Sequence, residues 1–575
     1  MRMHWIGLIP CDTVMKPGNQ FLMATIGVIL TGTANAATPV SPRDQSQHLP
    51  ETYSAPQTPS YQAPENPEFE LPAIPQPGPS APISKSPRIR VSGFRFTGNT
   101  VFTNEQLSVI TAPFVGRDLS IEDLQTIRRR LTLAYIRAGF VNSGALLPDQ
   151  SVKNGTIRYE LVEGRLDSLK IQGLTRLNDR YVRGRLQRFV TTPLNTQALQ
   201  NGLLLFQQNP LIETIKAQMR PGRQPGHADL DVTVSEAKPY ELNLMADNHR
   251  SPSVGSEQGT FSLVYRNLTG YGDTASASYS RTDGTNQYWL SYALPVNRYD
   301  TTVRGYYLNG ESQVISTSFK DIDIENQSNS TGVEITQPVY RDVSGEWMLG
   351  ARLEHKKTTT SLLNQRFSFT PGVINGKSKV THLDIFQHWR YRDNRQALFT
   401  QLTAVIGNDW FGATKHDGLP DSQYLSARAQ AQWARALSER GQLVSRADVT
   451  WTNDHLLSSE KTTIGGFYSV RGYREGILVG DRAAVGSLEY RHRLGFDMHP
   501  DHRLQAAVFA DGGWVDNNGL STSPSTIGSV GVGALYRYGR HFHATVYLAR
   551  ALRHIKVSDR GLVDRGVSLE VGLQY

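Results

Sequence analysis

The sequence predicts a mainly β protein: a transmembrane antiparallel β-barrel of about 16 strands, preceded by two compact βααββ modules and a proline-rich linker. Three observations carry this. From Tyr240 onward, apolar and polar residues alternate with period two, so each strand has one apolar and one polar face. Between residues 88 and 238 the order β-α-α-β-β occurs twice, at a period of about 75 residues. Thirteen of the 29 prolines lie between Pro39 and Pro87, a stretch with too few large apolar residues to bury a core.

Composition excludes a helical multi-span protein. Hydrophobic residues are 38%, charged residues 19% and mean hydropathy is −0.40. Such a chain needs several apolar runs of roughly 20 residues, and only the short Phe21–Leu30 comes near. That run has the length of a signal-peptide core. Lys16 precedes it and the A-x-A site Ala34-Asn35-Ala36 follows it. Residues 1–36 therefore read as a signal peptide and the mature chain begins at Ala37. Met15-Lys16 makes the better start, so residues 1–14 read as an over-called start. The single cysteine, Cys11, follows Pro10 and no apolar run, which is wrong for a lipoprotein signal. Once it is lost, neither disulfides nor thiolate chemistry remain. Residues 37–87 read as an extended, partly polyproline linker.

The first module spans residues 88–164. Phe94 and Phe96 mark a strand, and Thr103-x-x-Gln106 is a capping box that opens a short helix. Ser120 caps a longer helix with Ile121, Leu124, Ile127, Leu131 and Tyr135 on one stripe, and Gly139 is placed to end it. A strand follows the Asn154-Gly155 turn. The second module, 165–238, repeats the plan. It has a strand at Leu169–Ile171, a helix carrying Tyr181, Val182, Arg185, Leu186 and Phe189, and a helix carrying Leu199, Leu203 and Phe206. Strands at Ile215–Met219 and Asp229–Val234 complete it.

Residues 239–575 read as the barrel. Leu425, Ala427, Ala429, Ala431 and Trp433 alternate with Ser426, Arg428, Gln430 and Gln432; Val567 to Tyr575 alternates likewise. Closure satisfies backbone polar groups in lipid. A soluble sandwich would place apolar residues where Arg, Gln, Glu and Asp stand here. A barrel of this size leaves a lumen that conducts, is plugged, or both.

Enzyme and ligand motifs fail on inspection. Gly376-Lys377-Ser378 looks like the end of a phosphate loop, but the required first glycine is Pro371. Gly531-Val532-Gly533 lacks the third glycine of a dinucleotide site. His492, His499 and His502 surround an expected turn, and Asp321, Asp323 and Glu325 an expected solvated loop, so no metal is assigned. The net charge of +8 suits anionic lipid headgroups or acidic partners; no nucleic-acid module accompanies it. No catalytic residue and no cofactor is expected.

Two barrel motifs remain. Gly465 to Tyr473 is too glycine-dense for a good strand and reads as a long ordered loop containing Val470, Arg471, Gly472 and Tyr473. Phe509, Asp511 and Gly513 share the lumen face of one strand. A lumen-facing Asp needs a partner or water, and an Arg on an inward-folded loop would supply one.

These residues resemble signatures of the outer-membrane POTRA–barrel superfamily. Val470-Arg471-Gly472-Tyr473 resembles its VRGY/F loop motif, Phe509-x-Asp511-x-Gly513 its strand motif, and the two modules its POTRA domains, the first ending Leu161-Val162-Glu163-Gly164. Asn209-Pro210, Pro221-Gly222 and Asp229-Leu230 resemble the second POTRA of two-partner secretion transporters (TpsB, the haemolysin-activator and filamentous-haemagglutinin-transporter group). Asn267 to Asp273 resembles their early barrel turn. Five strand-like segments follow the loop, which puts it between strands 11 and 12, as in that family.

The resemblance implies a monomeric pore in the cell outer membrane with its POTRA domains in the periplasm. It would bind an unfolded, TpsA-like secreted partner protein (an adhesin, haemolysin or similar) and translocate it without nucleotide hydrolysis. The alternative within the superfamily is an outer-membrane protein assembly or insertion factor, which typically has more POTRA repeats. Family members often carry an N-terminal plug helix; residues 37–60 are too proline-rich to show one.

Overall fold

The computed structural model describes residues 68–70, 88–152, 154–317, 319, 322–495, 501–519 and 525–575. The expected signal peptide and nearly all of the linker lie outside the described residues. So do Asp321 and His499.

The first module has β1 (Gly93–Thr97), α1 (Asn104–Thr111), α2 (Ile121–Arg137), β2 (Gly144–Leu146) and β3 (Thr156–Val162). Both helices start where side chains satisfy their free N–H groups. Thr103 caps Gln106 and Ser120 caps Asp123, each in a reciprocal capping box. Leu124, Ile127, Leu131 and Tyr135 of α2 are buried on the sheet, each such side chain contributing about 1.5–3 kcal/mol over an exposed one. Ile121, expected on that stripe, is 57% exposed in the first turn, so the packed stripe begins at Leu124. Gly139, at φ +89°, ends the helix as its spacing predicts.

The second module has β4 (Arg165–Gln172), α3 (Asp179–Leu186), α4 (Thr196–Gln207), β5 (Ile212–Pro221) and β6 (His227–Glu236). Its sheet has β6 in the centre, between β4 and β5. The free edge of β5 is covered by the linker: Glu68, Phe69 and Glu70 pair in parallel with Lys216, Ala217 and Gln218.

The remaining strands close into a 16-stranded antiparallel barrel. In order they are β7 (Tyr240–Asp247), β8 (Gln258–Arg266), β9 (Thr274–Arg281), β10 (Thr285–Pro295), β11 (Thr302–Gln313), β12 (Ile324–Arg341), β13 (Gly345–Leu362) and β14 (Lys377–Arg392). Then follow β15 (Gln396–Asn408), β16 (Leu425–Ala436), β17 (Gly441–Thr452), β18 (Arg482–Arg493), β19 (His502–Asp516), β20 (Ser525–Tyr538), β21 (Phe542–Ala551) and β22 (Val567–Gln574). Asn243–Asp247 pairs with Glu570–Gln574 to close the ring. Leu244, Leu290, Ile385, Val508 and Leu573 are exposed on the outer face. This is the apolar face that period two predicts.

The second module docks on two barrel turns. The Asn178 N–H donates to Gly270 O at 2.9 Å. Arg185, expected among the apolar residues of α3, is indeed buried, but its Nε donates to Asp300 Oδ1 at 2.7 Å. The turn Asn267–Asp273 is held from within: the Asp273 carboxylate accepts the Thr269 N–H at 2.9 Å and Tyr292 OH at 3.0 Å.

Candidate functional site: a loop held on the inner wall

Residues 453–481 join β17 to β18, strands 11 and 12 of the barrel. Their neck is a two-stranded ladder, Thr462–Ile464 against Leu478–Gly480. Their tip lies on the inner wall, where Val470 and Arg471 are 0% and 5% exposed. All seven residues of the two sequence motifs meet there, each for a separate physical reason.

Arg471 Nε and Nη2 donate to Asp511 Oδ2 and Oδ1 at 2.8 and 2.9 Å, a bidentate fork. Its backbone N–H donates to the same carboxylate at 3.1 Å. Phe509 lies under the guanidinium, 3.5 Å from ring centroid to Cζ, so the cation also faces a π surface. Gly513 leaves the space that Val470 and Ile464 fill: a Cβ there would meet Ile464 Cδ1 at 2.8 Å and Val470 Cγ2 at 3.0 Å. Gly472, at φ +85°, passes so close to β21 that a Cβ would sit 2.9 Å from that of Ala549. Tyr473 OH is 2.9 Å from Gly528 O and 3.0 Å from Arg553 O, and it accepts the Arg553 N–H at 3.1 Å.

Sequence reasoning paired Arg471 with Asp511 alone and missed further partners. Arg471 Nη1 also donates to Glu489 Oε2 on β18. Ser487 Oγ donates to Asp511 Oδ1 at 2.7 Å, and Tyr547 OH to Glu489 Oε1 at 2.7 Å. Glu489 shares the lumen parity of β18 with Ser487. Only the cross-strand register, Glu489 opposite Phe509, shows that it reaches Arg471.

Three other contacts had no sequence signal. The loop's base carries Glu460, which receives Lys356 Nζ of β13 at 3.3 Å and Tyr424 OH at 2.9 Å. Phe467 stacks on His249, just past β7, with ring centroids 3.7 Å apart and planes 12° apart. Among the described residues no group of His, Cys, Asp and Glu could hold a metal ion. His492 and His502 hydrogen-bond Tyr490 and Tyr536.

A closed 16-stranded barrel with two βααββ modules at its entry and a loop anchored inside defines an outer-membrane transporter of the POTRA class. The model of the haemolysin secretion/activation protein ShlB/FhaC/HecB family matches residues 226–535, and that of the POTRA domain, ShlB-type, matches residues 89–164. The chain belongs to the ShlB/FhaC/HecB family; it is a two-partner secretion transporter of the outer membrane, whose family translocates partner exoproteins. It is 24% identical over 477 residues to the outer membrane transporter CdiB of Escherichia coli, covering 79% of this chain and 77% of that one. It is 23% identical over 494 residues to the hemolysin transporter protein ShlB of Serratia marcescens, covering 81% and 82%. The solved structure of CdiB from Escherichia coli superposes with a TM-score of 0.66 at 21% identity, over 87% of this chain and 93% of that one, and shares its fold.

Proposed function

We propose that the two modules stand in the periplasm and bind the unfolded partner exoprotein as an added strand on the edge of β5. The barrel, acting as a monomer, then carries the chain outward without nucleotide hydrolysis. Loop 453–481 is its movable closure, with Arg471 and Asp511 as the fastening. The division of the chain into signal peptide (1–36), linker (37–87), modules (88–164 and 165–238) and barrel (239–575) belongs to the same proposal.

The observation that supports this reading most directly is the pairing of Glu68–Glu70 with Lys216–Gln218. The edge of β5 accepts an extended segment through backbone groups, and such pairing tolerates varied client sequence. Deleting residues 166–236 tests it. Secretion of the partner should be abolished, while the barrel stays inserted and keeps heat-modifiable migration on gels. Normal secretion by the deletion would refute recognition by the second module. A general loss of other barrel proteins from the membrane would point instead to an assembly factor.

A further inference from the structure

The outer wall of the barrel carries a basic patch. β13 and β14 pair without a bulge from Gly345↔Tyr391 to Thr359↔Lys377, so side-chain parity is fixed along their whole length. Lys356 faces the lumen, where it meets Glu460. Lys357 therefore faces outward. Trp347, Leu349, Ile385 and Trp389 face outward too, between 39% and 52% exposed. Lys357 lies directly opposite Lys379; Lys377 is opposite Thr359, and Arg366 opposite Ser361 on the same face. Like charges directly opposite one another on a strand pair repel. Lys377 lies in the field of Arg366, Lys357 and Lys379. Among the described residues no carboxylate forms an ion pair with any of the four. The nearby Glu325 accepts the Ser361 hydroxyl at 3.4 Å, and Asp409 is paired with Lys415 at 3.1 Å.

Height identifies the surroundings. From the Trp347–Trp389 rung to the Lys357–Lys379 rung the strand runs about 34 Å, at roughly 3.4 Å per residue. At a tilt of about 40° that is about 26 Å of height, the thickness of the apolar band of an outer-membrane barrel. The cations thus stand at the upper rim of the lipid, where headgroups lie.

An aromatic ledge flanks them. Trp410 and Phe411 are 51% and 67% exposed. Phe411 is held at φ +57°, a backbone conformation that bulky residues rarely adopt. The ledge is fixed to the wall: Thr381 Oγ1 donates to Trp410 O at 2.9 Å, and the Thr414 N–H to Lys379 O at 2.9 Å. The Phe411 ring meets His355 edge-on, with centroids 6.2 Å apart.

We infer that the extracellular ends of β13 and β14 bind the phosphorylated sugar headgroup of an anionic glycolipid in the outer leaflet. Lys357, Lys377, Lys379 and Arg366 take the phosphates, and Trp410 and Phe411 pack on the sugar and the upper acyl chains. Arginine and lysine are suited to phosphate, and exposed aromatic rings to the border of sugar and hydrocarbon.

Native mass spectrometry of the full-length protein in detergent tests this with four probes: bisphosphoryl lipid A, monophosphoryl lipid A, phosphatidylglycerol and inorganic phosphate. Bisphosphoryl lipid A should bind most tightly. The quadruple variant Lys357→Gln, Lys377→Gln, Lys379→Gln, Arg366→Gln should weaken it at least tenfold, and Trp410→Ala with Phe411→Gly several-fold. If the quadruple variant loses heat-modifiable migration, the pair Lys357→Gln, Lys379→Gln replaces it, with a several-fold loss expected. Unchanged lipid A binding by the folded variant would overturn the site. Equal binding of phosphatidylglycerol, or displacement by millimolar phosphate, would overturn the glycolipid as its ligand.

Discussion

Glu163 and Glu236 hold the same place in the two modules: each carboxylate gathers the N–H groups of the loop that follows its module's first strand. Glu163 accepts Thr100 and Val101 N–H at 2.6 and 2.8 Å, and Tyr135 OH at 2.8 Å. Glu236 accepts Thr175, Arg176 and Leu177 N–H at 2.8, 2.9 and 2.9 Å, and Arg176 Nε at 3.1 Å. Gly98 and Gly173, at φ +82° and +84°, turn the chain into these loops. A Cβ at either would meet a carbonyl oxygen, Leu161 O at 2.4 Å or Val234 O at 2.2 Å. The internal repeat has this shared loop as one of its physical causes.

This cradle should make the second module acid-sensitive. Burial acts to raise the Glu236 carboxyl, but the backbone donors of Leu177, Arg176 and Thr175 outweigh it and hold the group at about 2. A pKa lowered by folding contributes stability that is present above the unfolded value of about 4.3 and lost as pH falls towards 2. Hydrogen exchange of Thr175–Leu177, corrected for intrinsic rate, should show protection at pH 6 that fades below about pH 4. Glu236→Gln should lose it at neutral pH, at a cost of about 1–3 kcal/mol. Equal protection in the variant would mean that packing alone holds the loop.

Arg471→Ala should harm secretion more than Asp511→Ala. Losing the arginine leaves the buried Asp511 with the Ser487 hydroxyl and no cation, while Glu489 keeps Arg491 and Tyr547; losing Asp511 leaves Arg471 still paired with Glu489. Breaking a buried pair costs about 3–5 kcal/mol, less where water reaches the lumen. Secreted partner should fall at least tenfold in Arg471→Ala with the barrel still heat-modifiable. The double variant should be no worse than Arg471→Ala; a further additive loss would show that the two residues act separately.

Glu460 should brace the base of the loop against β13. Glu460→Gln keeps a hydrogen-bonding group beside Tyr424 but removes the charge facing Lys356. In planar bilayers its open-channel events should become several-fold more frequent. The swap Lys356→Glu with Glu460→Lys should restore the quiet trace. Indistinguishable recordings from wild type and Glu460→Gln would remove Glu460 from the gating account.

The linker strand should compete with the client for β5. Proline at both Phe69 and Glu70 removes backbone donors whichever register the parallel ladder uses. A partner fragment should then bind the full-length transporter several-fold more tightly, because the binding-competent edge is no longer fractionally occupied. Unchanged or weaker binding in a titration would place the client elsewhere.

Local pattern determined much of this protein. Period two gave the barrel and its two faces, because successive strand residues point to opposite sides whatever lies beyond. The caps Thr103 and Ser120 and the turn at Asn154-Gly155 were legible because their hydrogen bonds are made within a few residues. The family resemblance singled out Arg471 and Asp511. Tertiary structure alone decided what joins them across register and lumen: Glu489 beneath Arg471, Lys356 and Tyr424 on Glu460, Phe467 on His249, Arg185 on Asp300, and the linker on β5. The side-chain hydrogen bonds among these contacts join residues 18 to 115 positions apart in chain numbering. Period two fixes which face a side chain takes, but closure, shear and the inward fold of the loop fix what stands opposite it.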